Sequence, residues 1–221
     1  MKIKFLGHSC FLVQDQGIQI LIDPFITNNP KSNISALALK PDIILLTHDH
    51  ADHLGDTIDI SKNSGALVIT LFDLAEELSK YQINVLGGNL GGTIEHKGIS
   101  FTFVNALHSS KIGTPVGFVI KLKNKTLYFA GDTNVFMDMK IIKDLYAPEI
   151  VFLPIDGYFN MGPREAIYAL KLLTPEIIIP MHYGTFPLLK GTPKQLEELL
   201  NKEDLKVKML EFKINEEKDF L

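Results

Sequence analysis

The chain has 221 residues, with 22 Lys and Arg against 26 Asp and Glu, a formal charge of −4, which gives no basic stripe for nucleic acid or an acidic membrane. Hydrophobic residues make up 46% and charged residues 22%, which excludes wholesale disorder. One cysteine, Cys10, excludes a disulfide framework and a Cys-rich zinc module, and reads as a small core residue.

In chain order, short β-rich runs stand at residues 3–6, 11–13, 18–22, 43–46 and 67–71. A helix is expected over residues 73–81, with Leu74 and Leu78 four apart. The glycine-rich stretch 87–92 opens no helix, so it reads as a flexible turn rather than a phosphate cradle. Residues 95–98 read as a turn with His96 at the surface. Strands follow at 99–104, 116–122 and 127–130, then a helix over 136–146 and a strand over 150–155. Pro163 after Gly162 opens a helix over 164–173. A strand at 177–180 precedes a helix at 193–200, with Thr192 as N-cap and Pro193 at the first helical position. A last strand is expected at 207–210, and the polar stretch 215–219 is expected to fray.

Several of these runs are continuous rather than alternating, as expected for strands covered on both faces. The strands fall into two groups, about 1–115 and 116–221, within one domain of residues 1–221. Two mixed β-sheets flanked by helices, an α/β protein of four-layer αββα type, would bury them; three-layer α/β folds give similar strings. No run of about 20 apolar residues predicts a membrane span. The first eight residues do not make a signal peptide, so a cytoplasmic protein is expected.

The chemistry concentrates after the run 43–46. Thr47 is followed by His48, Asp49, His50, Ala51, Asp52 and His53, which places three of the seven histidines of the chain in six residues. Crowding three imidazoles and two carboxylates without an ion is costly. Neutral imidazole and carboxylate are standard ligands of zinc and similar ions. On a loop leaving a strand, His48 and His50 can face one way while Asp52 and His53 face another, which suits two adjacent metal centres. Two centres need further ligands. His108, Asp132 and His182 each stand just beyond a strand's C-terminal end, where strand ends converge on a cleft.

Together, Asp23 in Leu-Ile-Asp-Pro, the segment 47–53, His108, Asp132 in Ala-Gly-Asp-Thr and His182 resemble the five motifs of the metallo-β-lactamase superfamily. A narrower likeness is carried by Gly7-His8-Ser9, Ala106 to Ser110, Ala130 to Thr133, Pro154 to Gly157 and Pro180 to Tyr183. These resemble small metal-dependent hydrolases similar to L-ascorbate-6-phosphate lactonases, and more distantly N-acylphosphatidylethanolamine-hydrolysing phospholipase D. The resemblance implies the αββα metallo-β-lactamase fold with the site at the shared edge of the sheets. It assigns His48, His50 and His108 to one ion, Asp52, His53 and His182 to a second, and Asp132 to both. It further implies a metal-bridging hydroxide, because two such ions lower the pKa of a shared water from about 15.7 to around 7.

On that reading Asp52 also orients the attacking hydroxide, and Asp23 fixes the tautomer of a ligand histidine. His8 is a candidate general acid or substrate contact, against a structural hydrogen bond. Asp156 and Tyr183 are candidates for pocket lining or substrate contact. Two Zn2+ ions suit the N and O donors; Mn2+, Fe2+ or Ni2+ accept the same set. The chain is too short for the added nuclease domain of RNA-processing members or the helical domain of glyoxalase-II-like ones. His50 stands where redox di-iron members have Glu. The reading is a hydrolase of a small-molecule ester, lactone or phosphodiester, with no nucleic acid or membrane as partner; related small members often form homo-oligomers, and the sequence leaves the oligomeric state open. The competing readings are a phosphodiesterase or nuclease on small nucleic-acid fragments and a non-catalytic metal-binding protein.

Overall fold

A computed structural model describes residues 1–220. The first part of the chain forms β1 (Lys2–Gly7), β2 (Cys10–Asp15), β3 (Ile18–Ile22), β4 (Ile43–Leu45), α1 (Ala51–Leu54), α2 (Thr57–Ser64), β5 (Leu67–Leu71), α3 (Phe72–Ser79) and β6 (Val85–Gly88). Then come β7 (Thr93–His96), β8 (Ile99–Asn105), β9 (Val116–Lys121), β10 (Thr126–Phe129), α4 (Met139–Tyr146) and β11 (Ile150–Pro154). The chain closes with α5 (Pro163–Leu173), β12 (Ile177–Met181), α6 (Pro193–Lys202), β13 (Lys208–Met209) and β14 (Glu217–Asp219).

The strands form two seven-stranded mixed sheets, each with its own helices, as the α/β reading expects. One compact unit holds residues 1–89, 110–114 and the chain from 212 onward; the other holds 90–109 and 115–211. In the first, the order is β14-β1-β2-β3-β4-β5-β6. β1 to β3 form an antiparallel meander, and β3 to β6 run parallel through crossovers that carry α1, α2 and α3. In the second, the order is β13-β12-β11-β10-β9-β8-β7. β7 to β10 are antiparallel, and β10 to β13 run parallel through α4, α5 and α6.

The continuous apolar runs are why the central strands are parallel and covered: Ile43, Ile44 and Leu45 of β4 and all of β11 are buried. Each unit has its own core. The first gathers Leu21, Ile44, Leu46, Ile60, Val68 and Leu74 among others. The second gathers Tyr128, Val151, Leu153, Ile167, Leu170 and Leu196 among others. Cys10 is fully buried, as expected for a small core residue, and burial pushes its thiol well above the ordinary range. α6 starts as its sequence specifies: Thr192 Oγ1 accepts from the Gln195 N–H, and Gln195 reaches back to the Thr192 N–H.

Several local expectations are revised. The division does not fall near residue 115, because β8 pairs along its length with β9 and takes the hairpin with it. His96 is a half-buried strand residue opposite Ile99; the turn is Lys97-Gly98, both at positive φ, as a two-residue hairpin requires. Gly87 and Gly88 are strand, and a Cβ on Gly87 would stand 2.9 Å from the Phe72 Cα, so glycine lets α3 lie close on β6. The 215–219 stretch is pinned rather than frayed: Asn215 N–H donates to the Phe5 carbonyl (2.7 Å), and β14 pairs antiparallel with β1. The helix expected from 136 begins at Met139. Two helices, α1 and α2, stand where none was expected. Among the described residues no helix is long and apolar enough to cross a membrane.

Gly55 and Gly65 end α1 and α2, and their environments differ. Gly55 has φ 40° and ψ −122°, and a Cβ there would meet the Pro24 carbonyl oxygen at 2.3 Å. Gly65 is left-handed (φ 78°) with open space around it. Gly55→Ala is therefore expected to cost about 3 kcal/mol or more, combining backbone strain with overpacking. Gly65→Ala should cost only about 1 kcal/mol. Urea unfolding of both variants measures the contrast, and equal losses would contradict it.

Candidate metal centre

In the first unit the donors are set by strand register. β3 and β4 are parallel with Ile22 opposite Leu45, so Asp23 at the end of β3 lies beside Thr47 at the end of β4. Asp23 is fully buried with φ 45°. Its Oδ1 accepts from the Thr47 N–H (2.9 Å), and its Oδ2 accepts from the Thr47 hydroxyl (2.8 Å) and His53 Nδ1–H (2.7 Å). The Thr47 hydroxyl spends its proton on Asp23, so it accepts from His48 Nδ1–H at 3.0 Å. A carboxylate only accepts, which puts the ring protons of His48 and His53 on Nδ1 and their lone pairs on Nε2. A buried carboxylate needs such donors to offset its lost hydration.

The same unit brings the other candidates close. His48 Nε2 lies 2.9 Å from His50 Nδ1. His8 is 1% exposed, and its Nε2 meets Asp52 Oδ2 at 3.1 Å. One donor atom each from His8, Asp52 and His53 lies within 4.8 Å of the others. His8 thus sits as the hydrogen-bond partner that orients Asp52. Its ring also packs edge-on against Phe25 (5.7 Å). Asp49, the carboxylate of the cluster with no role assigned from sequence, accepts from the Ser110 hydroxyl and Lys111 N–H, both at 2.9 Å. It fixes the 110–112 loop.

The second unit repeats the device. β11 and β12 are parallel with Pro154 opposite Met181, which sets Asp156 beside His182. His182, at φ 58°, places Nδ1 3.1 Å from Asp156 Oδ2 and Nε2 3.2 Å from Asp132 Oδ2, both at ion-pair distance. Burial would raise the Asp156 pKa. The His182 hydrogen bond and the N–H groups of Tyr158 and Phe159 outweigh it and hold the carboxyl below its usual range. His108 Nε2 lies 3.5 Å from Asp132 Oδ2. Thr133 holds these segments together: its hydroxyl accepts from the Leu107 N–H (2.8 Å) while the Asn134 N–H donates to the Leu107 carbonyl (3.1 Å). Tyr183 points elsewhere, packed against the second core, where burial and Glu211 raise its phenol.

Each unit therefore gathers the site residues expected in it, apart from Tyr183. Asp23 hydrogen-bonds His53, and Asp156 lies at ion-pair distance from His182, rather than either facing open space. The donor chemistry fits divalent metal: buried imidazoles with Nδ1 occupied and Nε2 aimed at carboxylates or other imidazoles, and no thiolate. Thr47, Asp49 and Thr133 were missed from the sequence. Only the polar Thr47 directly after the apolar run 43–46 offered a signal.

Residues 2–182 match the beta-lactamase superfamily domain, and the chain belongs to that family. It is 46% identical to a UPF0173 metal-dependent hydrolase of Korarchaeum cryptofilum over 218 residues, covering 98% of both chains. It is 43% identical to one from Methanopyrus kandleri, covering 95% of this chain and 96% of that one. Among solved structures it is similar to Igni18, a metallo hydrolase from Ignicoccus hospitalis, with 34% identity, a TM-score of 0.92 and 100% and 99% of the two chains covered. The chain is thus a metal-dependent hydrolase with a metallo-β-lactamase fold.

Asp23 supplies the sharpest test of the donor geometry. Asp23→Asn keeps the size but turns an NH2 toward a donor it must accept from. Zinc affinity should fall about 10- to 100-fold, as when an orienting partner of a ligand is removed. Competition with a chromophoric chelator reads this directly; wild-type affinity would refute the role.

Proposed function

We propose that the chain is a dinuclear hydrolase of small-molecule esters or lactones. In this reading His48, His50 and His108 hold one divalent ion, Asp52, His53 and His182 hold the other, and Asp132 is shared. Zinc suits the set best, since every donor is imidazole nitrogen or carboxylate oxygen. Bound divalent ions supply an acidified water and polarise the scissile oxygen of the substrate.

The observation that carries the reading is the pair of buried Asp–His contacts, Asp23 with His53 and Asp156 with His182. The Asp23 hydrogen bond fixes the Nδ1 tautomer of His53, so that imidazole presents a lone pair without rearranging. Asp23 does this twice, directly for His53 and through Thr47 for His48. His8 Nε2 meets Asp52 at Oδ2 and so orients that carboxylate. Pre-set donors of this kind lower the reorganisation needed at reaction. The mild preference for lactone or ester over phosphodiester rests on the sequence likeness to lactonases.

The test joins metal analysis to a substrate panel. The purified chain, reconstituted with zinc or manganese, should hold about two ions and cleave aryl esters or lactones. Asp132→Ala should lose at least one ion and cut turnover more than about 100-fold. Full turnover and two retained ions in that variant would overturn the assignment of Asp132. Cleavage of bis-aryl phosphodiesters alone would replace the ester reading with a phosphodiesterase.

A further inference from the structure

The loop between β11 and α5 presents two rings to solvent: Tyr158 is 59% exposed and Phe159 52%. Their backbone is not free to fold them away. Asp156 Oδ1 accepts from the N–H groups of Tyr158 (2.8 Å) and Phe159 (2.7 Å), and Asp156 Oδ2 accepts from Asn160 Nδ2 (3.0 Å). Gly157 N–H donates to the Met161 carbonyl, and Met161 N–H to the Thr133 carbonyl, both at 3.2 Å. The two rings meet edge-on with centroids 4.8 Å apart. A fixed aromatic pair loses little further entropy when it takes up a ligand.

Both anchors of this loop belong to the donor set. Asp156 holds His182 with the same carboxylate that holds the loop, and Thr133 follows Asp132 directly. Thr133 also accepts from the N–H of Leu107, which is 48% exposed and precedes His108. Three exposed apolar side chains therefore stand on backbone that is hydrogen-bonded to segments carrying His108, Asp132 and His182. A few exposed apolar residues scattered singly need no function. These are joined by the Thr133 and Asp156 hydrogen bonds and lie one to three bonds from metal ligands.

We infer that Tyr158, Phe159 and Leu107 form an apolar rim that receives the aryl or alkyl portion of the substrate. The inference rests on the metal-hydrolase reading above and narrows its substrate class to esters or lactones with an apolar substituent. Asp156 is then a positioning residue for both ends of the substrate: Oδ2 faces the His182 imidazole and the Asn160 amide, while Oδ1 holds the Tyr158 and Phe159 N–H groups.

Two phosphonates with the same head group and different substituents test this by binding alone. Calorimetry on the zinc-loaded full chain should show phenylphosphonate binding about tenfold tighter than methylphosphonate. In the double variant Tyr158→Ala/Phe159→Ala that preference should vanish, with methylphosphonate affinity within about twofold and zinc content unchanged. Leu107→Ala, made separately, should reduce the preference about threefold. A preference that survives the double variant, or equal binding of both probes to the wild type, overturns the rim while leaving the metal centre standing. If neither phosphonate binds the zinc-loaded chain, the rim is overturned as well; failure of the chain to take up zinc is the separate result that would overturn the metal reading.

Discussion

In each unit the local structure around the candidate donors hangs on one buried carboxylate at the end of a parallel strand. Asp23 has no exposure, and ionising it there would be prohibitive without its three donors. Those donors come from the neighbouring strand end and from α1, so the charge is tolerated only when β3, β4 and α1 are assembled. The dependence runs both ways. The strand ends are pinned by the carboxylate, and the imidazoles it pins are the chemistry. Asp156 plays the matching part in the second sheet, with the N–H groups of its own loop as extra donors. Two sheets with different meanders arrive at the same solution because adjacent parallel strands bring their C-terminal ends to one level.

Backbone strain is concentrated at these places too. His8, Asp23 and His182 all have positive φ, which costs a non-glycine residue on the order of 1–3 kcal/mol. None of the three is in a free turn; each is buried, with His8 and Asp23 hydrogen-bonded and His182 at ion-pair distance from Asp156. The sharp reversal straight after a strand is what swings the side chain sideways onto its neighbour. A relaxed extended backbone would carry the same side chain on past the strand end.

Much of this was legible in the sequence, and what was not has physical causes. The metal cluster showed because three histidines in six residues is a pattern that core packing never requires. The parallel strands showed because burial on both faces leaves unbroken Ile, Val and Leu. By contrast, α1 is four residues long and is held by its neighbours rather than by propensity, so no periodicity announces it. β6 is rich in glycine for the sake of a helix that crosses it closely, which disguises a strand as a turn. β14 is polar throughout because it is an edge strand, and its pairing is purely a tertiary effect. Thr47 and Thr133 act through hydroxyls that each donate one hydrogen bond and accept another, which residue type alone cannot reveal.

The pairing of β14 with β1 joins residues 215 positions apart, as the Lys2–Glu217 ion pair shows. The first sheet therefore borrows its outermost strand from a segment more than 200 residues away. A chain lacking that strand would keep every candidate ligand and still leave β1 with a bare row of N–H and C=O groups. Such an open edge is a template for pairing with another copy. Loss of that strand would thus first appear as clumping of an otherwise intact catalyst, which makes β14 a guard of solubility rather than of chemistry.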